Sequence, residues 1–141
     1  MIVLDTNVLS ALMQLKPDAQ VVAWLDSQHA ESIWISSVTL FEARYGLALL
    51  APGQRQSVLQ ERFDQLVQDD LEGRVLVFDA DAASQAARLA ADRKARGRPV
   101  DMRDTFIAGI ALARRATLAT RNVRHFDDLF VPVINPWEDK L

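Results

Sequence analysis

An α/β fold built on a parallel sheet with helices on both faces is the architecture this sequence predicts. Two observations carry the expectation. Short apolar, β-branched runs recur along the chain, and longer stretches with helical apolar periodicity separate them. Strands apolar on both faces belong to parallel sheets sandwiched between helices. A third observation agrees with these two. Several runs end on polar residues, which in such sheets converge on one crevice beyond the strand carboxyl ends. The 141 residues are read as a single domain, 1–141, with four or five short strands. A chain of this length buries about two-thirds of the surface it exposes when unfolded, so it needs no disulfide or metal staple.

Ile2-Val3-Leu4 reads as the first buried strand, closed by Asp5-Thr6-Asn7, with Thr6 or Asn7 capping a helix over 8–14. Pro17-Asp18 restarts a helix with Val21, Val22 and Leu25 on its apolar face. Ile33-Trp34-Ile35 is the second strand, and Ser37 is placed to cap a helix over 38–50 that Pro52-Gly53 stops. Residues 54–69 read as a further helix, with Val58, Leu59, Phe63, Leu66 and Val67 inward. Val75 to Phe78 is the third strand. An alanine-rich helix over 82–96 follows Asp79-Ala80-Asp81 and ends at Gly97. Asp101 or a neighbour starts the helix over 103–115. Thr117 to Thr120 is the fourth strand, and Val131-Pro132-Val133-Ile134 the fifth, placed at an edge by its proline.

Composition excludes several chemistries. There is no cysteine, which removes a disulfide scaffold, a cysteine nucleophile and a thiolate zinc site. Two histidines, His29 and His125, cannot make a multi-histidine metal site within one chain. Neither a P-loop nor a dinucleotide glycine signature occurs. No basic leader with a long apolar stretch and no membrane-length apolar run is found, so the protein is expected to be soluble and cytoplasmic.

Three carboxylates stand at element ends. Asp5 ends the first strand, where an ionised group is costly to desolvate unless paired, hydrogen-bonded or metal-bound. It can equally cap the following helix. Glu42 lies one turn into an apolar helix, too late for a capping box, with a salt bridge to Arg44 or Arg103 as its plain alternative. Asp104 opens its helix, where the helix dipole alone favours an acid; Asp101 shares that ambiguity. Acids from three element ends can gather around one divalent ion. All-oxygen donors suit Mg²⁺ or Mn²⁺, and the chemistry then open is phosphodiester hydrolysis.

The motifs resemble a known family. Ile-Val-Leu-Asp-Thr-Asn-Val-Leu-Ser at 2–10, Ser-Ser-Val-Thr-Leu-Phe-Glu-Ala-Arg-Tyr-Gly at 36–46 and Asp-Thr-Phe-Ile-Ala-Gly-Ile-Ala at 104–111 resemble PIN-domain ribonucleases. Ala-Thr-Arg-Asn-Val-Arg-His-Phe at 119–126 and Asn-Pro-Trp at 135–137 are similar to the VapC/FitB-type toxins of bacterial toxin–antitoxin pairs. The resemblance spans essentially the whole chain. It implies a three-layer fold and a Mg²⁺- or Mn²⁺-dependent endoribonuclease, held inactive by a small DNA-binding, VapB/FitA-like antitoxin, and a homodimer. It implies that Asp5 and Asp104 hold the ion, directly or through water. Glu42 ligates it or orients the attacking water, and cleavage leaves a 3′-hydroxyl and a 5′-phosphate. The family's fourth acid is replaced here by Asn122, expected to support the site from behind, with Thr6 and Thr120 as hydroxyl neighbours and Arg121 toward substrate. Asp127 and Asp101 are the candidate substitutes for the missing acid, and neither matches the family position.

Other readings remain open. A haloacid-dehalogenase-type phosphatase wants an aspartate where Asn7 stands, and a receiver domain lacks its acid pair and lysine. A free-standing RNA-processing nuclease, or a catalytically weak PIN-fold binding protein, keeps the same fold. Trp24 reads as core or interface, Trp34 as core, and Trp137 as a pin for the C-terminus. His125 reads as a surface residue able to reach phosphate. The apolar excess around Tyr45-Gly46-Leu47 and Leu66-Val67 is the candidate dimer surface. The net charge of −3 hides an asymmetry: residues 1–87 carry −7, 88–125 carry +7 and 126–141 carry −3. Arg114, Arg115, Arg121 and Arg124 are read as a basic rim for phosphates.

Overall fold

A computed structural model describes residues 1–138; the last three residues of the expected domain lie outside the described residues. In chain order the elements are β1 (Ile2–Leu4), α1 (Thr6–Leu12), α2 (Ala19–Asp26), β2 (Ile33–Ser36), α3 (Ser37–Ala48), α4 (Gln54–Gln65), β3 (Val75–Leu76), α5 (Ala80–Ala95), α6 (Met102–Arg114), β4 (Thr117–Ala119) and β5 (Val133–Ile134). The five strands form one parallel sheet in the order β3-β2-β1-β4-β5. The expected α/β class, strand number and edge position of the proline-preceded strand all hold.

Alternation along the strands divides the core between the two faces. Val3 and Leu118 point into a cluster with Leu89, Ile107, Ile110 and Phe126, under α5 and α6. Leu4 and Ala119 point the other way, into a cluster with Val8, Val21, Trp24, Ile35 and Phe63 from α1, α2, β2 and α4. Trp24 is completely buried and so belongs to the core. Where α5 crosses α6, Gly109 lets the backbones meet: a Cβ there would stand 2.6 Å from Ala82 O and 2.7 Å from the Ala86 Cβ.

The structure corrects several local expectations. Asp5, not Thr6 or Asn7, caps α1, its side chain accepting from Thr6 N–H. Ser36, not Ser37, caps α3 through Thr39 N–H, while Ser37 Oγ accepts from Phe78 N–H. Only Val75–Leu76 of the third apolar run pairs as strand. The helix expected over 54–69 stops at Gln65 and passes into a wider turn at Leu66–Asp70. Leu66 and Val67 pack on the core there, so they do not form a free dimer surface.

Candidate active site

β1 is the middle strand, and the chain places β2 and β3 on one side of it and β4 and β5 on the other. The crevice beyond the carboxyl ends of β1 and β4 is therefore the topological switch point, where α/β sheets collect ligands. Asp5 and Thr120 are the first residues beyond those two ends.

Asp5 is 3 % exposed. Its Oδ1 accepts from Thr6 N–H at 2.8 Å, and its Oδ2 from Thr120 Oγ1 at 2.7 Å and Asn7 Nδ2 at 3.3 Å. Both carboxylate oxygens are thus held by neutral donors, with no cationic side chain among its partners. Burial pushes the Asp5 carboxyl up to about 6, against the lowering effect of the Thr120 and Thr6 hydrogen bonds. The charges of Asp104 and Glu42 add to the rise. Three carboxylates from β1, α3 and α6 therefore share one electrostatic neighbourhood. Like charges gathered around a buried acid are stabilised by a proton or a cation.

Glu42 lies on α3, two turns from the Ser36 cap. Its Oε1 accepts from Thr6 Oγ1 at 2.8 Å, and Thr39 Oγ1 lies 3.0 Å from the same hydroxyl. Thr6 thus joins Asp5 to Glu42, through its amide on one side and its hydroxyl on the other. Arg103 stands 3.6 Å from Glu42 Oε2, whereas Arg44 pairs with Asp64. Asp104, in the first turn of α6, meets the ring of His125 at 3.0 Å. That contact places His125 at the site and not merely on the surface. Asp101 is the α6 cap, accepting from Arg103 N–H, and Asp127 pairs with Arg98, so both acids are already engaged.

Asn122 is exposed, and its side chain makes no hydrogen bond among the described residues. Its backbone takes part instead: the N–H donates to Thr120 Oγ1 at 3.0 Å, and the carbonyl accepts from His125 N–H at 2.9 Å. Arg121 N–H donates to Asn7 Oδ1 at 3.2 Å. Asn7 and Thr39 are the participants that sequence reasoning missed. Asn7 carried a signal in its spacing, two residues after Asp5; a threonine one turn into a helix carries none.

Behind Asp104 lies a buried support. The Arg93 guanidinium, 2 % exposed, pairs with Asp128 at 2.9 Å and donates to Thr105 Oγ1 and to the His125 carbonyl. It therefore ties the Val123–Phe126 turn, which carries His125, to the start of α6, which carries Asp104. Arg93 holds the Asp128 carboxyl down at about 2.

All three carboxylates offer oxygen donors, which fits a hard divalent cation. Among the described residues, no three His or acidic side chains are drawn together as a closed metal cage. A cation that keeps most of its water shell needs no such cage.

A family model described as "PIN domain" matches residues 2–130. "VapC ribonuclease Y4jK" of Sinorhizobium fredii is 42% identical over 138 residues, covering 98% of this chain and 99% of that protein. "Toxin FitB" of Neisseria gonorrhoeae is 40% identical, covering 99% of this chain and all of that one. Among solved structures, FitAB bound to an IR36 DNA fragment superposes with a TM-score of 0.91 at 38% identity, over 100% of this chain and 99% of that one.

Proposed function

Because the chain belongs to the PIN domain family, among its VapC- and FitB-like members, we propose that it is a divalent-metal-dependent endoribonuclease and the toxin of a toxin–antitoxin pair. The observation that carries this reading is the buried Asp5, bound only by neutral donors and flanked by the charges of Glu42 and Asp104. Such a site is short of positive charge, which a divalent cation would supply.

Asp5 and Asp104 would hold Mg²⁺ or Mn²⁺, with Glu42 completing the donor set. When bound, the ion supplies charge stabilisation for phosphodiester hydrolysis and makes nearby water more acidic. The chain's own residues do the rest. Thr120, Thr6 and Asn7 fix both Asp5 oxygens, so the carboxylate is oriented before substrate arrives. Thr6 Oγ1 orients Glu42, the candidate for directing the attacking water. His125 holds Asp104 Oδ2 and keeps its ring half exposed, within reach of RNA bound at the site. Asn122 supports the Thr120 hydroxyl through its backbone, an action that needs no acid at that position. Cleavage would leave a 3′-hydroxyl and a 5′-phosphate. A small DNA-binding VapB/FitA-like antitoxin is the proposed partner, from the likeness to FitAB on DNA.

The test is cleavage of total RNA by the purified protein with Mg²⁺ or Mn²⁺. Cleavage is expected to stop with a chelator and with Asp5→Asn, while circular dichroism shows the fold intact. Full activity in Asp5→Asn sinks the assignment. A catalytically weak PIN-fold binding protein is the second reading, favoured by the Arg103 contact on Glu42. RNA binding without metal-stimulated cleavage would select it.

A further inference from the structure

The basic segment 88–125 does not present its cations equally. Arg93, Arg96, Arg98, Arg103 and Arg114 all stand against carboxylates. Arg121 does not. Among the described residues it has no carboxylate partner; its guanidinium lies over the Trp137 ring, 4.8 Å from the centroid. That separation is within the range of a cation–π contact.

Both members of the pair are held in place. Arg121 follows Thr120, whose hydroxyl bonds Asp5, and its N–H is fixed by Asn7 Oδ1. Trp137 packs against the core cluster on the α1 side, and its N–H donates to Asn135 Oδ1 at 3.0 Å. The result is a planar cation resting on an anchored indole, one residue away from the hydroxyl that orients the buried acid. Arg121 itself is exposed. A guanidinium with a ring on one side leaves its other side open, and unstacked RNA bases stack on arginine planes as they do on aromatic rings.

We infer that the Arg121–Trp137 pair is a nucleobase shelf, which seats one base of single-stranded RNA beside the scissile phosphate. This inference rests on the ribonuclease reading and deepens it by naming a subsite for a base. A phosphate contact alone would need Arg121's charge but not its plane, and it would have no use for Trp137.

The test compares two labelled ten-residue chains, oligoriboadenylate and an abasic ribose-phosphate chain of the same length. Equilibrium binding is measured with chelator present, so that the RNA stays intact. Wild-type protein is expected to prefer the adenylate by about tenfold, the scale of one base stack. Arg121→Lys keeps the charge and loses the plane, so it removes most of that preference and leaves binding of the abasic chain nearly unchanged. Trp137→Phe, which keeps a ring under the cation, retains part of it. A preference that survives Arg121→Lys overturns the shelf. So does Arg121→Gln weakening both chains equally with Arg121→Lys harmless, which identifies a phosphate contact only. Wild-type protein that binds and cleaves no RNA overturns the ribonuclease reading and the shelf together. Cleavage with intact chain binding but unchanged variants overturns the shelf alone.

Discussion

A single carboxylate concentrates the chemistry of the molecule. Asp5 serves as the α1 cap and as the buried acid at the sheet's switch point. Both alternatives weighed on the sequence are therefore true of one residue. Its carboxyl, normally near 3.8, sits at about 6 in the metal-free fold, chiefly through burial. Between those two values the folded protein holds a proton that the unfolded chain has released, so stability falls as pH rises through that window. Asp5→Asn removes this dependence. In chelator, its stability relative to wild type should rise between pH 4 and pH 7, by at most about 3 kcal/mol. Urea unfolding at a series of pH values reads the difference, and parallel profiles for the two proteins would refute it.

At the scale of elements, the site depends on how closely α5 and α6 pack. Asp104 and Thr105 start α6, Arg93 lies near the end of α5, and Gly109 is where the two helices touch. Gly109→Ala would drive a methyl into the Ala82 carbonyl and the Ala86 side chain, both on a helix backbone that cannot yield alone. A loss of about 1–3 kcal/mol is expected, the usual effect of overpacking a tight contact. Chemical denaturation measures it, and unchanged stability would show that the helices separate freely. The sequence announces α6 clearly through its apolar face and its Asp101 cap. Nothing in it announces that a glycine inside a helix marks a crossing rather than a weak point. Helix limits were legible to within a few residues, since Gly97 and Pro52-Gly53 break helices locally. The choice between Ser36 and Ser37 as cap was not, because both are good caps and the tertiary partner of Ser37, Phe78 N–H, comes from 41 residues away.

On the whole molecule, the charge asymmetry changes meaning once folded. Residues 88–125 carry +7, yet Arg114 reaches Asp79, Arg98 reaches Asp127, and Arg93 and Arg96 reach Asp128. The block is partly neutralised by acids from the segments on either side, and Arg114 drops out of the expected phosphate rim. Arg115, Arg121 and Arg124 remain without a carboxylate partner among the described residues. The apolar surface is redistributed too. Leu47 is buried, while Phe41 and Tyr45 stack in the open, their rings 5.8 Å apart, with Leu49 a turn beyond. We assign the expected homodimer contact to this stripe on α3. Sedimentation of the purified protein should show a dimer that Phe41→Ser with Tyr45→Ser dissociates; a monomeric wild type would end the assignment.

The amino-acid order alone determined the alternation of strands and helices, and hence a parallel α/β sheet. Burial on both faces forces apolar strands, and the 3.6-residue period marks the helices between them. It also singled out Asp5 and Glu42, because an acid at the end of an apolar strand or inside an apolar helix conflicts with its surroundings; Asp104, which the helix dipole alone would favour, stood out only through the resemblance of 104–111 to the family. Only the tertiary structure decided which neutral groups satisfy those acids and which cations balance them. Thr6 meets Glu42 across 36 positions, Thr120 meets Asp5 across 115, and His125 meets Asp104 across 21. Hydrogen bonds of a few ångströms between distant positions are set by strand order and helix packing, and no local pattern of residues encodes them.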